Sequence, residues 1–322
     1  MPKIYAAALA AMALATSPVH AEFPDKPIRL VTAGAPGTGS DTLTRLLGGK
    51  MSQILKQPVI IENKPGAGGA VAMSHVALAA PDGYTIILGS FSGNVLVPAS
   101  NPNINYNVTK DFVPIGQIAS APTMVVVRSD FPVKTVEELA DRSRKTPGGV
   151  QYASWGYGST GHFCGELLSH SMKANLSHIP YKSVAQITTD LQGGHVDVAT
   201  VDMITGLGLV QSGRARALIL CVDGSNLLPD VPSYVDKKID FDGKKPTVAR
   251  WVMYAPAGVP EPVRKKLSAA LQQSINLPDV NEWLIRQGNS PAFLDGPKAV
   301  QADLDDKKFW VEVAEGLGIK AK

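Results

Sequence analysis

IRLVTAGAPGTGSDTLTRLLGGKMSQIL, residues 28–55, carries the pattern on which the architecture turns. Ile28 to Thr32 is a short apolar run with β-branched side chains, closed by a glycine-rich loop. From Ser40 the apolar residues Leu43, Leu46, Leu47, Met51, Ile54 and Leu55 recur three and four apart, the spacing of one helix face. The same alternation follows downstream: Pro58 to Ile61 reads as strand, Gly69 to Ala80 as helix and Tyr84 to Leu88 as strand. Repeated units of this kind predict a mostly parallel sheet with helices on both faces, an α/β fold.

Residues 90–110 are rich in Asn, Pro and Ser without a sustained period, and read as an extended connection toward strands at Phe112 to Ile118 and Met124 to Val127. A second series follows. Thr135 and Glu138 form a capping box, Val150 to Ala153 reads as strand, Ser159 to Lys173 as helix and Ser177 to Ile179 as strand. Ser183 to Leu191, Val196 to Val201 and Ala215 to Val222 continue as helix, strand and strand. Trp251 to Ala255 reads as a strand returning to the first half, ahead of helices starting near Pro260, Pro278 and Pro297, since proline is tolerated in a first turn. The expected organisation is therefore one lobe from 22–122 and 250–322 and a second from 123–249.

At the amino end, Lys3 precedes an apolar run from Ile4 to Ala15, and Val19-His20-Ala21 has small residues where a signal peptidase needs them. Cleavage after Ala21 and export to the periplasm are expected. The run is short of the roughly 20 residues of a spanning helix, so an anchor is disfavoured. Removing 21 of the 322 residues leaves 301, enough for two lobes of ordinary domain size. The net charge of +3 is scattered, with Lys-Lys pairs at 237, 244, 265 and 307, which argues against a nucleic-acid surface. Cys164 and Cys221 are the only cysteines. One bridge is open to them, but placed on a helix start and a strand end they read first as two buried free thiols.

Three loops carry candidate chemistry. Gly37-Thr38-Gly39-Ser40-Asp41-Thr42 joins a strand to a helix, where unpaired N–H groups favour an anion. It resembles a dinucleotide fingerprint, with Glu62 at the distance of a ribose-binding acid, but Thr42 replaces the third glycine and no cofactor is expected. Gly66-Ala67-Gly68-Gly69 enters another helix without the Lys-Ser or Lys-Thr of a P-loop, and reads equally as a compact turn. Ser154 to His162 again links a strand to a helix, with hydroxyls suited either to a ligand or simply to capping. Two anion-binding loops, one per lobe, would grip a ligand from both sides. Asp202 ends a strand and either faces the cleft or is a solvated loop acid. His162 and Glu166, four apart, could share a metal, but the six histidines form no ligand cluster and no hydrolase or zinc signature is present. No catalytic set and no metal site emerge.

Longer segments carry a resemblance. Gln57 to Gly69 (QPVIIENKPGAGG), Ala80 to Thr85 (APDGYT), Lys110-Asp111-Phe112, Pro180-Tyr181-Lys182, Asp190 to Gly194 with Val196-Asp197, and Ala255 to Pro260 (APAGVP) resemble, in order, the Bug receptors of tripartite tricarboxylate transporters. The resemblance spans essentially all of the chain after residue 21. It implies a type II periplasmic-binding-protein fold, two α/β lobes with crossing strands and a ligand cleft. It further implies a carboxylate held through backbone amides and bridging waters at Ala35, Pro36, Gly37, Thr38, Gly39, Ser40 and Asp41. Second-lobe contacts are then expected from Ser154, Gly158, Ser159, Thr160 and His162, specificity from Asp202, and further contacts from Phe91 and Ser92. Two positions depart from the family pattern: Ala33 stands where an aromatic is common, and Ser183 where a glycine is usual after Tyr-Lys. The implied partners are a small organic acid and membrane subunits of the TctA and TctB kind, served by a monomer. A signalling receptor that feeds a sensor kinase fits the same sequence, and a secreted hydrolase or isomerase fits it less well for want of a nucleophile.

Overall fold

The computed structural model describes residues 22–244, 246 and 249–319, so the expected signal segment and its cleavage site lie outside the described residues. The first half runs β1 (Ile28–Thr32), α1 (Gly39–Leu55), β2 (Val59–Asn63), α2 (Ala70–Ala77), β3 (Thr85–Ser90), α3 (Val97–Ser100) and β4 (Phe112–Ser120). It continues with β5 (Thr123–Arg128), α4 (Val136–Lys145), β6 (Val150–Ser154), α5 (Thr160–Ser171), β7 (Leu176–Pro180), α6 (Val184–Gly193), β8 (Val198–Asp202), α7 (Met203–Gln211) and β9 (Ala215–Leu220). The chain ends with β10 (Arg250–Pro256), α8 (Glu261–Asn276), α9 (Pro278–Arg286), β11 (Pro291–Asp295) and α10 (Gly296–Gly316).

Two sheets result, ordered β11-β4-β10-β3-β1-β2 and β7-β6-β8-β5-β9. β1 pairs in parallel with β2 and β3, as the βα repeats require, and β6 does so with β7 and β8. The expectation of mostly parallel sheets needs correction, because both are mixed. β10 enters the first sheet antiparallel between β3 and β4, and β5 enters the second antiparallel between β8 and β9. The cause is the crossing of the chain: a strand arriving from the other lobe runs back along its neighbours instead of following a helical crossover. This is the type II periplasmic-binding-protein fold.

Each sheet has its own core. Leu43, Leu47 and Met51 of α1 are fully buried against Ile28, Leu30, Ile86 and Met253, and each such side chain contributes roughly 1.5–3 kcal/mol. In the second lobe Val125, Val127, Tyr152 and Val198 pack with Leu139, Leu167 and Leu168. The two crossing segments are bonded to each other where Ala121 N donates to Ala249 O at 2.6 Å. The last helix, α10, spans the lobes: the Trp310 ring lies 6.4 Å from that of Phe91 and 5.2 Å from that of Phe163.

Two further expectations change, and two elements were not foreseen. Residues 90–110 are not simply extended, since Ser92–Leu96 makes a wide helical turn that runs into α3. α7 and β11 had no clear periodic signal, α7 being a glycine-interrupted apolar stretch whose burial depends on β5 and β9. Cys164 and Cys221 are not free thiols but form a disulfide, their Cα atoms 5.9 Å apart. β9 runs beside β5, on which α5 packs, and that tertiary contact carries Cys221 to Cys164.

Candidate functional site

The cleft lies where the carboxyl ends of strands from both sheets meet, the position that α/β sheets reserve for ligands. A cavity of about 70 Å³ opens there. Its walls come from Ala33, Gly34, Ala35, Thr38 and Ser40 after β1, Gly66, Gly68 and Gly69 after β2, and Ser90 to Ser92 at and after β3. From the other lobe come Trp155 and Thr160 after β6, Lys182 to Val184 after β7, and Asp202 at the end of β8. Ala121, Thr123, Ala249 and Trp251, in or beside the crossing segments, close the back.

Thr38 caps α1: its hydroxyl donates to Ala35 O at 2.8 Å and accepts the Asp41 N–H at 3.5 Å. Ala35, Thr38 and Ser40 line the cavity, whereas Pro36, Gly37, Gly39 and Asp41 do not. Asp41 is buried and binds its own loop, accepting from Gly37 N at 2.9 Å, Arg45 Nε at 2.9 Å and Asn63 Nδ2 at 2.7 Å. Burial alone would push its carboxyl up, but Arg45, Asn63 and the Gly37 N–H outweigh it and hold the group below its usual range. Asp41 thus shapes the loop that Gly37, at φ 82°, turns.

The second-lobe loop divides in the same way. Thr160 reaches the cavity; Ser154, Gly158, Ser159 and His162 stand behind its wall. Ser159 caps α5, its hydroxyl accepting the His162 N–H at 3.2 Å. His162 Nδ1 accepts the Gly158 N–H at 3.2 Å, and its ring stacks on His178 with centroids 3.9 Å apart. Ser154 Oγ lies 2.6 Å from His178 Nε2. Burial, reinforced by His178, pushes His162 down to about 3, and burial lowers His178 to about 4, so both rings are neutral at pH 7. Burial raises Glu166, which accepts the Tyr152 hydroxyl at 2.7 Å and stands 3.8 Å from His162. This stacked pair supports the loop from beneath, and among the described residues no group of three acidic, His or Cys side chains is arranged to hold a metal.

Two polar bridges cross the cleft. Ser92, buried in the first lobe, accepts Thr160 N at 2.9 Å and Trp155 Nε1 at 3.3 Å and lies 2.8 Å from Thr160 Oγ1. On the other side Gly39 N donates to Thr205 Oγ1 at 3.2 Å. Thr205 Oγ1 in turn donates to Asp202 Oδ2 at 2.8 Å. Asp202 is the N-cap of α7, accepting Thr205 N on Oδ1 at 3.0 Å, and burial raises its carboxyl above the usual range. It is half-buried and lines the cavity, so it is not a solvated loop acid.

Sequence reasoning did not single out Lys182, Ser90, Thr123 or Trp251 as cleft residues, though all line the cavity, whereas Trp155 falls in the Ser154 to His162 loop that it named and Ser183 stood out only as a departure from the family pattern. Lys182 and Ser183 carried a signal, since they fall in and beside the Pro-Tyr-Lys segment at the end of a strand. The aromatic and hydroxyl residues from the crossing strands had none, because only the chain's return brings them there.

The cleft is thus lined by helix starts and hydroxyls drawn from both lobes. The family model described as the tripartite tricarboxylate transporter family receptor matches residues 43–318. The chain belongs to this receptor family. Receptors of this family are periplasmic solute-binding proteins and not enzymes. The chain is 35% identical over 284 residues to a UPF0065 protein of Bordetella pertussis, covering 87% of this chain and 86% of that one. It is 30% identical over 309 residues to Protein BugT of the same organism, covering 95% of this chain and 94% of BugT. Among solved structures, the periplasmic binding protein BugD superposes with a TM-score of 0.86 at 30% identity, over 93% of this receptor and 100% of BugD. MatC from Rhodopseudomonas palustris, with bound malate, gives a TM-score of 0.82 at 28% identity, over 91% of this receptor and 100% of MatC.

Proposed function

We propose that the receptor captures a small organic acid between its lobes, the bodies formed by residues 22–122 with 250–322 and by residues 123–249, and delivers it as a monomer to TctA- and TctB-like membrane subunits. The observation that carries this reading is the cavity between two capped helix starts, α1 from one lobe and α5 from the other, each with a hydroxyl at its wall. Helix N-termini favour a negative charge through unpaired N–H groups and the macrodipole. MatC, similar over its whole length, holds a dicarboxylate. The contacts assigned to the acid are the walls at Ala35, Thr38, Ser40, Phe91, Ser92, Thr160 and Asp202. Since each lobe supplies part of the wall, full contact exists only in the closed arrangement, and a bound acid pulls the population toward it. Export precedes this role, with the mature chain starting at Glu22.

The test is a thermal-shift screen of carboxylic acids followed by calorimetry, because a ligand specific for the folded state raises its melting temperature by mass action. Binding of at least one organic acid is the expected result. Binding confined to sugars or metal ions defeats the proposal, and an intact Met1 on protein from a periplasmic extract defeats the export step.

A further inference from the structure

The loop over residues 156–158 touches the first lobe on one side and rests on a histidine pair on the other. A Cβ at Gly156 would lie 3.0 Å from Gly68 N, and one at Gly158 would lie 2.5 Å from Ser100 Oγ and 3.2 Å from Val97 Cα, so the loop packs closely across the cleft. From beneath, His162 Nδ1 accepts the Gly158 N–H at 3.2 Å, and Tyr157 stands edge-on to the rings of His162 and His178, with centroids 5.4 and 5.1 Å away. That bond requires a bare Nδ1, so the His162 proton sits on Nε2, 3.8 Å from Glu166. A second proton would set an N–H against the Gly158 N–H and lift the loop. His178 is no easier to charge: its Nδ1 is buried without a hydrogen-bond partner and would then carry an unpaired N–H. The rings stack with centroids 3.9 Å apart, so two charges repel and the pair takes one proton at most. The ionisable groups that face the pair are Glu166 from α5, Tyr152 from β6 and Tyr157 from the loop itself. None of them bonds either Nδ1; Glu166 accepts from Tyr152, and burial raises it toward its neutral form.

We infer that His162 and His178 are positioning residues for closure: while neutral they seat the 156–158 loop against the first lobe, and one proton on the pair unseats it and releases the bound solute. This rests on the reading of capture by closure above and adds how the solute is let go. In the closed form the loop seals the rings, and burial holds His162 at about 3 and His178 at about 4. In the open form the loop is free to lift, and a ring returns toward about 6.5. The closed form therefore binds fewer protons, so closure is unopposed above about pH 6.5 and weakens as the pH falls below it. Because linkage is reciprocal, solute binding in that lower range expels the proton.

The experiment is calorimetry of the mature receptor with malate, adipate, citrate and benzoate at pH 7.5 and 5.5, carrying the tightest binder forward and referring its affinity to the ionised acid. The expected result is binding about tenfold weaker at pH 5.5, with about one proton released per molecule bound there, the most that a single ring can give. Affinities within twofold at the two pH values overturn the inference and leave the acid-receptor reading standing. The double variant His162→Asn with His178→Gln puts amides where the ring nitrogens were and cannot titrate. Whatever its affinity at pH 7.5, the ratio between the two pH values is expected to be close to one, and a ratio like that of the parent overturns the inference. Glu166→Gln is expected to keep the parent's ratio, and a flat profile in that variant assigns the effect to Glu166 and overturns it as well. Failure of every acid to bind at either pH defeats the acid-receptor reading. The unliganded protein then decides the switch: its radius by small-angle scattering is expected to grow from pH 7.5 to 5.5, and a constant radius overturns it.

Discussion

The Ser92 hydroxyl of the first lobe lies 2.8 Å from Thr160 Oγ1 of the second and accepts the Thr160 N–H at 2.9 Å. One buried oxygen thus ties the helical turn after β3 to the first turn of α5, at the cavity wall. Closure is consequently more than the approach of two surfaces, because it satisfies donors that face each other across the cleft.

Ser92→Ala removes that acceptor and leaves the Thr160 and Trp155 N–H groups to find water or none. An unsatisfied buried donor costs about 1–3 kcal/mol. The variant is expected to fold, with ligand affinity lowered roughly 5- to 150-fold at that scale. Calorimetry checks it, and an affinity within twofold of the parent shows that the bridge does not stabilise the liganded state.

Gly39→Ala tests the second bridge sterically. A Cβ at Gly39 would sit 2.2 Å from Asp202 Oδ1 and 2.7 Å from Ile204 Cβ, both in the opposite lobe. Within its own helix alanine is favourable. The expected outcome is an unchanged or raised melting temperature for the free protein, a larger radius by small-angle scattering in the presence of ligand, and at least tenfold weaker binding. Wild-type closure of this variant would mean that the contact yields.

Cys164 and Cys221 close a loop with a sequence separation of 57 residues. Replacing both by alanine is expected to cost about 2–4 kcal/mol, largely by freeing the unfolded chain. Urea unfolding of parent and variant measures it, and intact mass after alkylation without reductant should show no accessible thiol in the parent.

The histidine pair makes stability depend on pH. His162 and His178 titrate at about 3 and about 4 when folded, against about 6.5 when unfolded. Between those values the unfolded chain binds more protons, so stability is complete above about pH 6.5 and falls as the pH drops toward 4. The slope is at most about 1.4 kcal/mol per pH unit for each ring. Glu166, raised by burial, has the opposite sign just above its usual range and offsets part of the loss there. Urea midpoints at pH 7, 6 and 5 should decline, and His178→Asn should make the decline shallower. Equal midpoints at pH 7 and 5 would rule this account out.

Much of the fold was legible in local pattern. The strand over Ile28 to Thr32, the helix that follows it and the cap at Thr135 each rest on contacts within a few residues, which period and capping chemistry report directly. The candidate loops were legible as places, since a glycine-rich turn between strand and helix has one position in such a sheet. Which side chain in each loop reaches the cavity was not. Asp41 and His162 sit in the expected loops yet turn away from the cavity, because Arg45, Asn63 and His178, contributed by other elements or other turns, hold them there.

By itself the sequence determined the α/β class, the two series of βα units, the return of the chain through the strand now at Arg250–Pro256 and the places of the glycine-rich loops between strand and helix. Each follows from the period of apolar residues, from glycine and proline, or from a family pattern carried by the backbone's own turns. Only the tertiary structure decided the antiparallel entry of β5 and β10, the bond between Cys164 and Cys221, and the pairing of Ser92 with Thr160. Those depend on which residues meet across dozens of positions of chain, and that is set by packing two lobes against one another and not by any local preference.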